Sequence, residues 1–286
     1  PLLAAAHAGC LRDLLNHGVT ILERGKDVGA GEMGRYAIRS DSAAEAFLDV
    51  VLRTTEPELA ALKHRSVSTT IAASAGGSVP LKEAAEFLQL VGETVCAMVE
   101  ASSRGAVLRQ HKALFSQRVA SGVWSTRVRC ERSGVERDVL SRSLVLATGA
   151  HQPASRLRTE KIAGEPLLPR YQAKLLQTGE VFTSSGMAAL LERLRAIEHP
   201  KVVVVGGSTS VGAAARLLLH EFRQVTFGDG AVTLMHRSPL RIFYNSVEEA
   251  RAENHNLAAD IHQMDMQNTQ LSQEVESMDL HVKDME

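Results

Sequence analysis

The sequence predicts an α/β fold with parallel sheets, followed by a long C-terminal helix. Three observations support the prediction. The four valines of Val202–Val205 lead into two glycines and then into an Ala/Leu segment at helical spacing. Near the N-terminus, a second helix and strand end in an acid at Glu23. Residues 247–286 repeat apolar side chains every seven positions and contain no glycine or proline.

The composition fits a globular protein without a membrane span. The 286 residues are 44% hydrophobic, which suffices for a substantial core. No apolar run approaches the roughly eighteen residues that cross a bilayer, and the N-terminus lacks the basic start of a signal peptide. Cys10, Cys96 and Cys130 form no C-x-x-C pair. We therefore expect a cytoplasmic location, no membrane partner, no metal site and no redox-active disulfide.

The valine run and its glycines predict the opening of a dinucleotide-binding, Rossmann-like βαβ unit. Four consecutive valines are typical of a strand buried on both faces. A tight turn and the N–H groups of the following helix favour a pyrophosphate at this point. The pattern G-x-G-x-x-G is incomplete, because Ser208 and Val211 replace two of its glycines. A strand and helix without a nucleotide is the alternative. The residues of the predicted phosphate turn are Gly206, Gly207, Ser208, Thr209 and Ser210.

The N-terminal segment predicts the second half of another such unit. Residues 1–17 have the spacing of one helix, with a stop at His17–Gly18, and Val19–Glu23 follows as a short strand. An acid at this strand end is placed to accept a hydrogen bond from a ribose hydroxyl, although a solvated acid is the alternative. The first strand and glycine loop of the unit would precede Pro1. The polar, glycine-rich residues 25–42 are either a cofactor loop or a plain connection.

The middle of the chain alternates between helices and short strands. A turn near Ser133–Gly134 lies within a run of alternating apolar residues that predicts a small antiparallel β-meander. The other predicted elements are helices over 43–53 and 56–64, a linker over 69–79, a helix over 81–101 that begins after Pro80, a buried strand over 143–150 that ends in a Thr-Gly turn, an irregular stretch over 156–179, a helix over 184–197 capped by Ser184 or Ser185, and a strand over 231–236.

This order of elements resembles the flavoproteins that bind two dinucleotides. It is most similar to the FAD- and NADPH-dependent monooxygenases that include the lysine and ornithine N-hydroxylases. The resemblance covers roughly residues 1–250 and is identified from Leu22–Arg24, Leu146–Gly149 and Val204–Ser210. It implies a chain that is incomplete at both ends, because the FAD glycine loop and the closing FAD-domain segment of that group are absent.

The resemblance also implies roles for individual residues. Glu23, with Arg24 beside it, would hold the ribose of FAD, and Thr148–Gly149 would mark the crossing between the FAD and NADPH domains. The turn Gly206–Ser210 would hold the pyrophosphate of NADPH. We predict no catalytic acid, base or nucleophile, since the flavin does the chemistry in this class. Electrons would pass from NADPH to flavin, and then to oxygen or another small acceptor.

Arg237 indicates which nicotinamide cofactor is preferred. In units that prefer NAD, the strand after the glycine helix ends in an acid. Here Met235 and His236 are followed by Arg237, with Arg241 close behind. Two cations suit a 2′-phosphate, so we expect NADPH rather than NADH. A solvated basic loop is the alternative.

The C-terminal heptads predict a long helix and a possible coiled coil. Residues 251–286 have a net charge of −6, whereas the whole chain is at −1. Like charges at the flanking positions oppose a simple parallel homodimer, so homo- or hetero-oligomers, a single docked helix and a fused segment remain open. Without a basic region before the heptads, a nucleic-acid partner is not expected. The a and d positions are Val247, Asn254, Ile261, Asn268, Val275, Val282, and Ala250, Leu257, Met264, Leu271, Met278, Met285.

Two functions follow from these observations. The first is an FAD- and NADPH-dependent oxidoreductase of monooxygenase type, acting on a small-molecule substrate. The second is an inactive, flavoprotein-derived scaffold that assembles through its tail. The predicted domains are a partial FAD-binding domain with the β-meander over 1–165, an NADP-binding βαβ domain over 166–246, and the heptad helix over 247–286.

Overall fold

The computed structural model describes residues 1–119, 122–150, 152–162 and 164–237, together with positions 248, 251, 252 and 266. By internal contacts the chain divides into two compact units, Pro1–Ser238 and Pro239–Glu286. All the elements named below belong to the first unit. The predicted heptad helix and Arg241 lie outside the described residues. The predicted domain boundaries at 165 and 246 stay predictions.

The N-terminal helical segment is two helices rather than one. Helices α1 (Leu2–His7) and α2 (Leu11–His17) are separated by a turn in which Gly9 has φ of +68°. The N–H of Cys10 donates to the carbonyl of Ala5 at 2.9 Å, and the N–H of Gly9 donates to Ala6 at 3.2 Å. These two bonds end a helix at a left-handed glycine. The prediction of a continuous helix over 1–17 was therefore wrong, whereas the stop at His17–Gly18 is confirmed.

A two-stranded parallel sheet forms the centre of the N-terminal half. Strand β1 (Thr20–Glu23) pairs with β4 (Ala106–Arg109), with Thr20 opposite Ala106 and Glu23 opposite Arg109. A short antiparallel pair, β2 (Arg39–Ala43) and β3 (Ser78–Pro80), lies between them in the sequence. The helices between β1 and β4 are α3 (Ala44–Leu52), α4 (Pro57–Ala60), α5 (Ser66–Ala72) and α6 (Leu81–Ala101), with 3₁₀ turns at Met33–Arg35 and Ala61–His64.

Helix α6 provides the largest face of the first core. Its apolar residues recur at helical spacing, so one stripe is buried while the opposite side stays in water. The predicted helix over 81–101 is confirmed, and Pro80 stands at its N-cap. Against this stripe pack α1 to α5 and the inner side of β1. The most deeply buried members of this core include Ala6, Leu11, Leu59, Ile71, Val79, Phe87 and Val99.

The stretch 69–79 is more ordered than its composition suggests. A linker was predicted from its serines, alanines and glycines, but α5 continues to Ala72 and β3 begins at Ser78. Ile71 and Val79 are fully buried in the first core. Burial of these two side chains favours ordered structure over the local preference for a loop, so the linker prediction was wrong.

The β-meander is confirmed. Strands β5 (His111–Arg118), β6 (Trp124–Cys130) and β7 (Glu136–Ser141) form a three-stranded antiparallel sheet. The register of β5 shifts between Ala113 and Phe115, as in a β-bulge. The turn between β6 and β7 uses Gly134 at φ of +71°, in agreement with the predicted turn.

The segment 143–150, by contrast, is not a strand. It has no regular structure, and the side chains of Val145 and Leu146 are 63% and 75% exposed. The apolar pattern predicted a buried strand, but a strand forms only where a neighbouring strand is present to pair with it. The predicted irregular stretch that follows contains α7 (Ala154–Thr159), the two-residue strands β8 (Lys161–Ile162) and β9 (Glu165–Pro166), and α8 (Thr178–Val181).

The C-terminal part of Pro1–Ser238 contains the βαβ arrangement that the valines predicted. Helix α9 (Ser184–Arg195) precedes β10 (Val202–Val205), α10 (Thr209–Arg216) and a π-helical turn at Leu217–Glu221, and β11 (Val232–Met235) pairs parallel with β10. Thr183, rather than the predicted Ser184 or Ser185, caps α9, because its hydroxyl accepts the N–H of Gly186 at 3.0 Å.

Only one face of β10 is buried among the described residues. Val202 and Val204 pack in a second core with α9, α10 and the π-helical turn. Val203 and Val205 point the other way and are 54% and 74% exposed. The prediction of a strand buried on both faces was wrong, because no described element covers this second face. Within the part of the chain described here, no helix is long and apolar enough to cross a membrane.

Candidate functional site

Glu23 lies half-buried at the carboxyl end of β1. Its Oε1 accepts the N–H of Gly25 at 2.5 Å, which turns the chain sharply after the strand. The carbonyl of Gly25 in turn accepts the N–H of Gln110, just after β4, at 2.9 Å. Arg24 is exposed beside Glu23. These two hydrogen bonds fix the backbone just beyond the ends of β1 and β4. The Glu23 carboxylate keeps further acceptor positions that a ligand could use.

Arg109 stands opposite Glu23, but its charge is directed to α6. Its guanidinium donates to Glu93 at 2.6 Å and to Glu100 at 3.1 Å. Partial burial opposes protonation of Arg109, yet the hydrogen bond and charge of Glu93 give a net rise in its pKa. Gln110, the next residue, has φ of +57°, a backbone conformation that residues other than glycine rarely adopt. The two acids of α6 thus pair with Arg109, and Glu23 makes no ion pair with it.

The loop after Glu23 lies directly on α6. Gly29 has φ of +114°, and a Cβ on it would be 2.1 Å from the carbonyl oxygen of Leu88. A Cβ on Gly92 would be 2.1 Å from the carbonyl oxygen of Val28. Both positions therefore require glycine, and the close approach fixes the path of the chain beyond the strand end.

The phosphate turn predicted after the valines forms as a strand–turn–helix. Gly206 has φ of +147°, and a Cβ there would be 3.0 Å from Cγ2 of Val211. Helix α10 begins at Thr209 after Ser208, which makes no side-chain cap. The N–H groups of Thr209 and Ser210 therefore point out of the first turn, as in nucleotide sites. Gly207 is half-buried, and Ser208, Thr209 and Ser210 are exposed.

Arg237 follows the strand that pairs with β10. The N–H of Gly206 donates to the carbonyl of Met235 at 2.9 Å, so the ends of β10 and β11 are level. Arg237 follows Met235 by two residues and is exposed. Arg237 thus follows the strand end that is bonded to Gly206, whereas Glu23 and Arg24 lie at the end of another sheet.

Thr148 and Gly149 belong to neither sheet. Both are exposed, and Gly149 turns the chain with φ of +66°. Three residues later, the amide of Gln152 makes two hydrogen bonds to the start of α8. Its Nε2 donates to Oγ1 of Thr178 at 3.0 Å, and its Oε1 accepts the N–H of Gly179 at 3.2 Å. Nothing in the local sequence distinguishes Gln152, because its partners lie more than twenty residues away along the chain.

The loop after Glu23 also reaches the second core. The N–H of Ala37 donates to the carbonyl of Phe182 at 2.7 Å, and Tyr36 forms a β-bridge with Thr183. Tyr36 and Ile38 pack among the apolar residues of the second core. The segment that joins α8 to α9 is therefore held by the chain that leaves the first strand end.

In the described part of the chain, no three His, Cys, Asp or Glu side chains are grouped to hold a metal ion. Cys10, Cys96 and Cys130 are free thiols, and burial raises the pKa of Cys96.

No protein-family model matches the chain. Among curated proteins, it is 29% identical over 255 residues to a CMP-5′-(3-aminopropyl)phosphonate hydroxylase of Streptomyces rubellomurinus. The match covers 88% of this chain and 56% of that enzyme, so the chain spans little more than half the length of this relative.

Solved structures give a similar result. The chain superposes on DfoA, a cadaverine monooxygenase of Erwinia amylovora bound to FAD, with a TM-score of 0.54 and 15% identity, over 86% of this chain and 51% of DfoA. It also matches KtzI, an ornithine N-hydroxylase of Kutzneria sp. 744, with a TM-score of 0.44 and 14% identity, over 91% of this chain and 56% of KtzI. On the DfoA match, the chain shares the fold of about half of that FAD-bound monooxygenase.

Proposed function

We propose that the chain belongs to an FAD- and NADPH-dependent monooxygenase that hydroxylates the amine of a small molecule. The observation behind the proposal is the pair of strand ends. Glu23 terminates one parallel sheet, and the turn Gly206–Ser210 terminates the other, within the fold of an FAD-bound monooxygenase. Parallel sheets bind their ligands at these carboxyl ends.

The residues at the first strand end fit the ribose of FAD. The carboxylate of Glu23 is held in place by the N–H of Gly25 and keeps acceptor positions for ribose hydroxyls. Arg24 stands next to it, where its guanidinium would face an anionic group of the same cofactor. Thr148 and Gly149 would border the flavin side, at the crossing between the two nucleotide units.

The residues at the second strand end fit NADPH. Gly206, with φ of +147°, makes the sharp turn after β10, and the backbone N–H groups that follow it would face a pyrophosphate. The N–H groups of Thr209 and Ser210 would donate to its oxygens, with Gly207 and Ser208 lining the turn. Arg237 would pair with the 2′-phosphate, and Arg241, outside the described residues, would be a second cation for it.

Bound FAD supplies the redox chemistry, and the chain contributes binding and orientation. Glu23 and Arg24 would fix one end of the flavin cofactor, while Gly206–Ser210 and Arg237 would fix the nicotinamide cofactor. The names of the two relatives support an amine substrate, because cadaverine and the aminopropylphosphonate group both contain an amine. A cytoplasmic location and assembly through residues 247–286 also stay proposals. The alternative of an inactive scaffold depends on that tail and gains no support from the comparisons.

The test is an absorbance spectrum of the purified chain, recorded before and after FAD is added. Flavin bands that remain after gel filtration and bleach with NADPH under anaerobic conditions would support the proposal. Cadaverine would then be added in air, and the hydroxylamine product would be measured by mass spectrometry. A chain that retains no flavin, or whose flavin is not bleached by NADPH, would refute the proposal.

A further inference from the structure

We propose that Gln152 is a positioning residue that fixes the two nucleotide units relative to each other. The inference rests on the proposed function and extends it. Transfer of a hydride between two bound cofactors requires that they be held within a narrow range of distance and angle. The candidate FAD and NADPH residues lie on different sheets, so this placement depends on the elements that join the sheets.

Helix α8 is held at both of its ends by segments that come from earlier in the chain. At its start, the amide of Gln152 bonds to Thr178 and Gly179. At its end, Ala37 donates to the carbonyl of Phe182, and Tyr36 bridges to Thr183. Gln152 comes from the segment that follows Thr148–Gly149, whereas Ala37 comes from the loop that follows Glu23. The segments that follow the predicted flavin residues Thr148–Gly149 and Glu23 therefore hold the two ends of one four-residue helix.

The end of α8 packs in the second core, which supports the predicted NADPH residues. Val181 and Phe182 are buried in the second core, together with residues of α9, β10 and α10. A shift at the start of α8 would therefore be passed to the packing that supports Gly206–Ser210. At the end of α8 the contact with Ala37 is a backbone hydrogen bond, which a substitution would leave in place. At its start the contact is made by the side chain of Gln152, which a substitution can remove.

The amide of Gln152 suits this role because it is both a donor and an acceptor. Its oxygen satisfies the N–H of Gly179, which has no partner inside so short a helix. Its nitrogen donates to the hydroxyl of Thr178, so the two bonds set both the position and the rotation of the amide plane. Gln152 is itself exposed, and its role is not to fill the core.

The experiment compares the wild-type chain with the variants Gln152→Ala and Gln152→Glu. The control variant is Gln117→Ala, at an exposed glutamine of β5. Three quantities are measured: the dissociation constant for FAD, that for NADPH, and the anaerobic single-turnover rate of flavin reduction. For Gln152→Ala we expect both constants to stay within about twofold of the wild type and the rate to fall about tenfold, because a small misplacement slows transfer more than binding.

Gln152→Glu should restore most of the rate. Its carboxylate still accepts the N–H of Gly179, and the Thr178 hydroxyl can turn to donate to it. Hydrogen exchange of the Gly179 amide gives a reading that does not depend on activity: it should be about tenfold faster in Gln152→Ala and near the wild-type rate in Gln152→Glu.

The outcomes separate this inference from the proposed function. If wild type reduces its flavin with NADPH and Gln152→Ala does so equally fast, the role of Gln152 is refuted and the proposed function stands. If Gln152→Ala weakens cofactor binding as much as it slows reduction, Gln152 acts in binding and the positioning role is also refuted. If the wild-type chain binds neither cofactor or transfers no hydride, the proposed function fails, and the role of Gln152 fails with it.

Discussion

Gly92 of α6 lies directly beneath the carbonyl group of Val28. A Cβ on Gly92 would be 2.1 Å from that oxygen and 2.9 Å from Cα of Gly29. The N–H of Val28 is 3.5 Å from Oε1 of Glu93, the neighbouring residue on the helix. The loop after β1 thus packs on α6 at a position where the helix has no side chain.

Replacement of Gly92 by alanine should therefore destabilise the fold. The added methyl group would meet backbone atoms, which cannot move aside as a flexible side chain can, so we expect a loss of about 1–3 kcal/mol in the free energy of unfolding. Urea unfolding followed by circular dichroism measures the loss. Gly212→Ala is the matched control, because a Cβ on this helical glycine meets nothing within 4 Å. A Gly92→Ala chain as stable as the control would contradict the close contact.

Removal of the charge of Glu23 should weaken binding of FAD. In Glu23→Gln the side chain keeps its shape, but a ribose hydroxyl would lose a charged acceptor, so we expect about a tenfold increase in the dissociation constant. Titration of flavin fluorescence measures it. Glu136→Gln, an exposed acid on the meander, should leave the constant unchanged. Equal affinity in the Glu23 variant and wild type would show that this acid does not contact the cofactor.

Arg237 should determine the preference for NADPH over NADH. In Arg237→Ala, the affinity for NADPH should fall about 10- to 100-fold, since a charge-assisted hydrogen bond contributes about 1.5–3 kcal/mol. The affinity for NADH should stay unchanged, because NADH has no 2′-phosphate. Calorimetric titrations with both nucleotides test this, with Arg223→Ala as a control from an exposed site. An equal loss for both nucleotides would assign Arg237 to some part of the cofactor that they share.

The ion pairs of Arg12 should make stability depend on pH. Arg12 bonds to Glu56 at 2.9 Å and to Glu58 at 2.6 Å, and Glu56 is buried. The hydrogen bond from Arg12 lowers the pKa of Glu58 in the folded chain. This stabilisation is complete above the unfolded pKa of about 4.3, and it is lost as the pH falls through the lower, folded value.

Replacement of Arg12 by alanine should cost about 1–2 kcal/mol at neutral pH, mostly because buried Glu56 loses its partner. The part of the difference that comes from Glu58 should shrink as the pH falls below about 4, since its protonated carboxyl gains little from the guanidinium. Thermal unfolding from neutral to acidic pH measures both effects, with Arg53→Ala as a control for an exposed pair with Asp49. A difference that does not change with pH would contradict the pairing.

Local patterns predicted the parts of the fold that depend on neighbours in the sequence. The turn at Gly206, the helix over 81–101 and the meander each follow from spacing and turn residues within one stretch. Gly9 interrupted a helix because its left-handed conformation and two hydrogen bonds end α1, whereas the apolar spacing continued through it. A lone glycine can either continue or end a helix, so the spacing could not decide.

Distant contacts decided the rest. The apolar run around Val145 is the same in sequence whether or not a neighbouring strand is there to pair with it, so its exposure could not be foreseen. Gln152 is a glutamine before a proline, without any pattern, and only the folded chain brings it to Thr178. The candidate nucleotide residues could be predicted because their strand–turn–helix setting is local. Gln152, proposed to position the two nucleotide-binding sheets, could not be predicted.

The open face of β10 also affects how the protein behaves in solution. Val203 and Val205 present a ridge of branched hydrocarbon to water, and Met235 on β11 is 57% exposed as well. Kosmotropic salts are excluded from the protein surface, so they favour burial of such apolar groups against another molecule. The chain should therefore salt out with ammonium sulfate more readily than its nearly neutral charge alone would suggest, and an aspartate at Val205 should raise its solubility without touching either core.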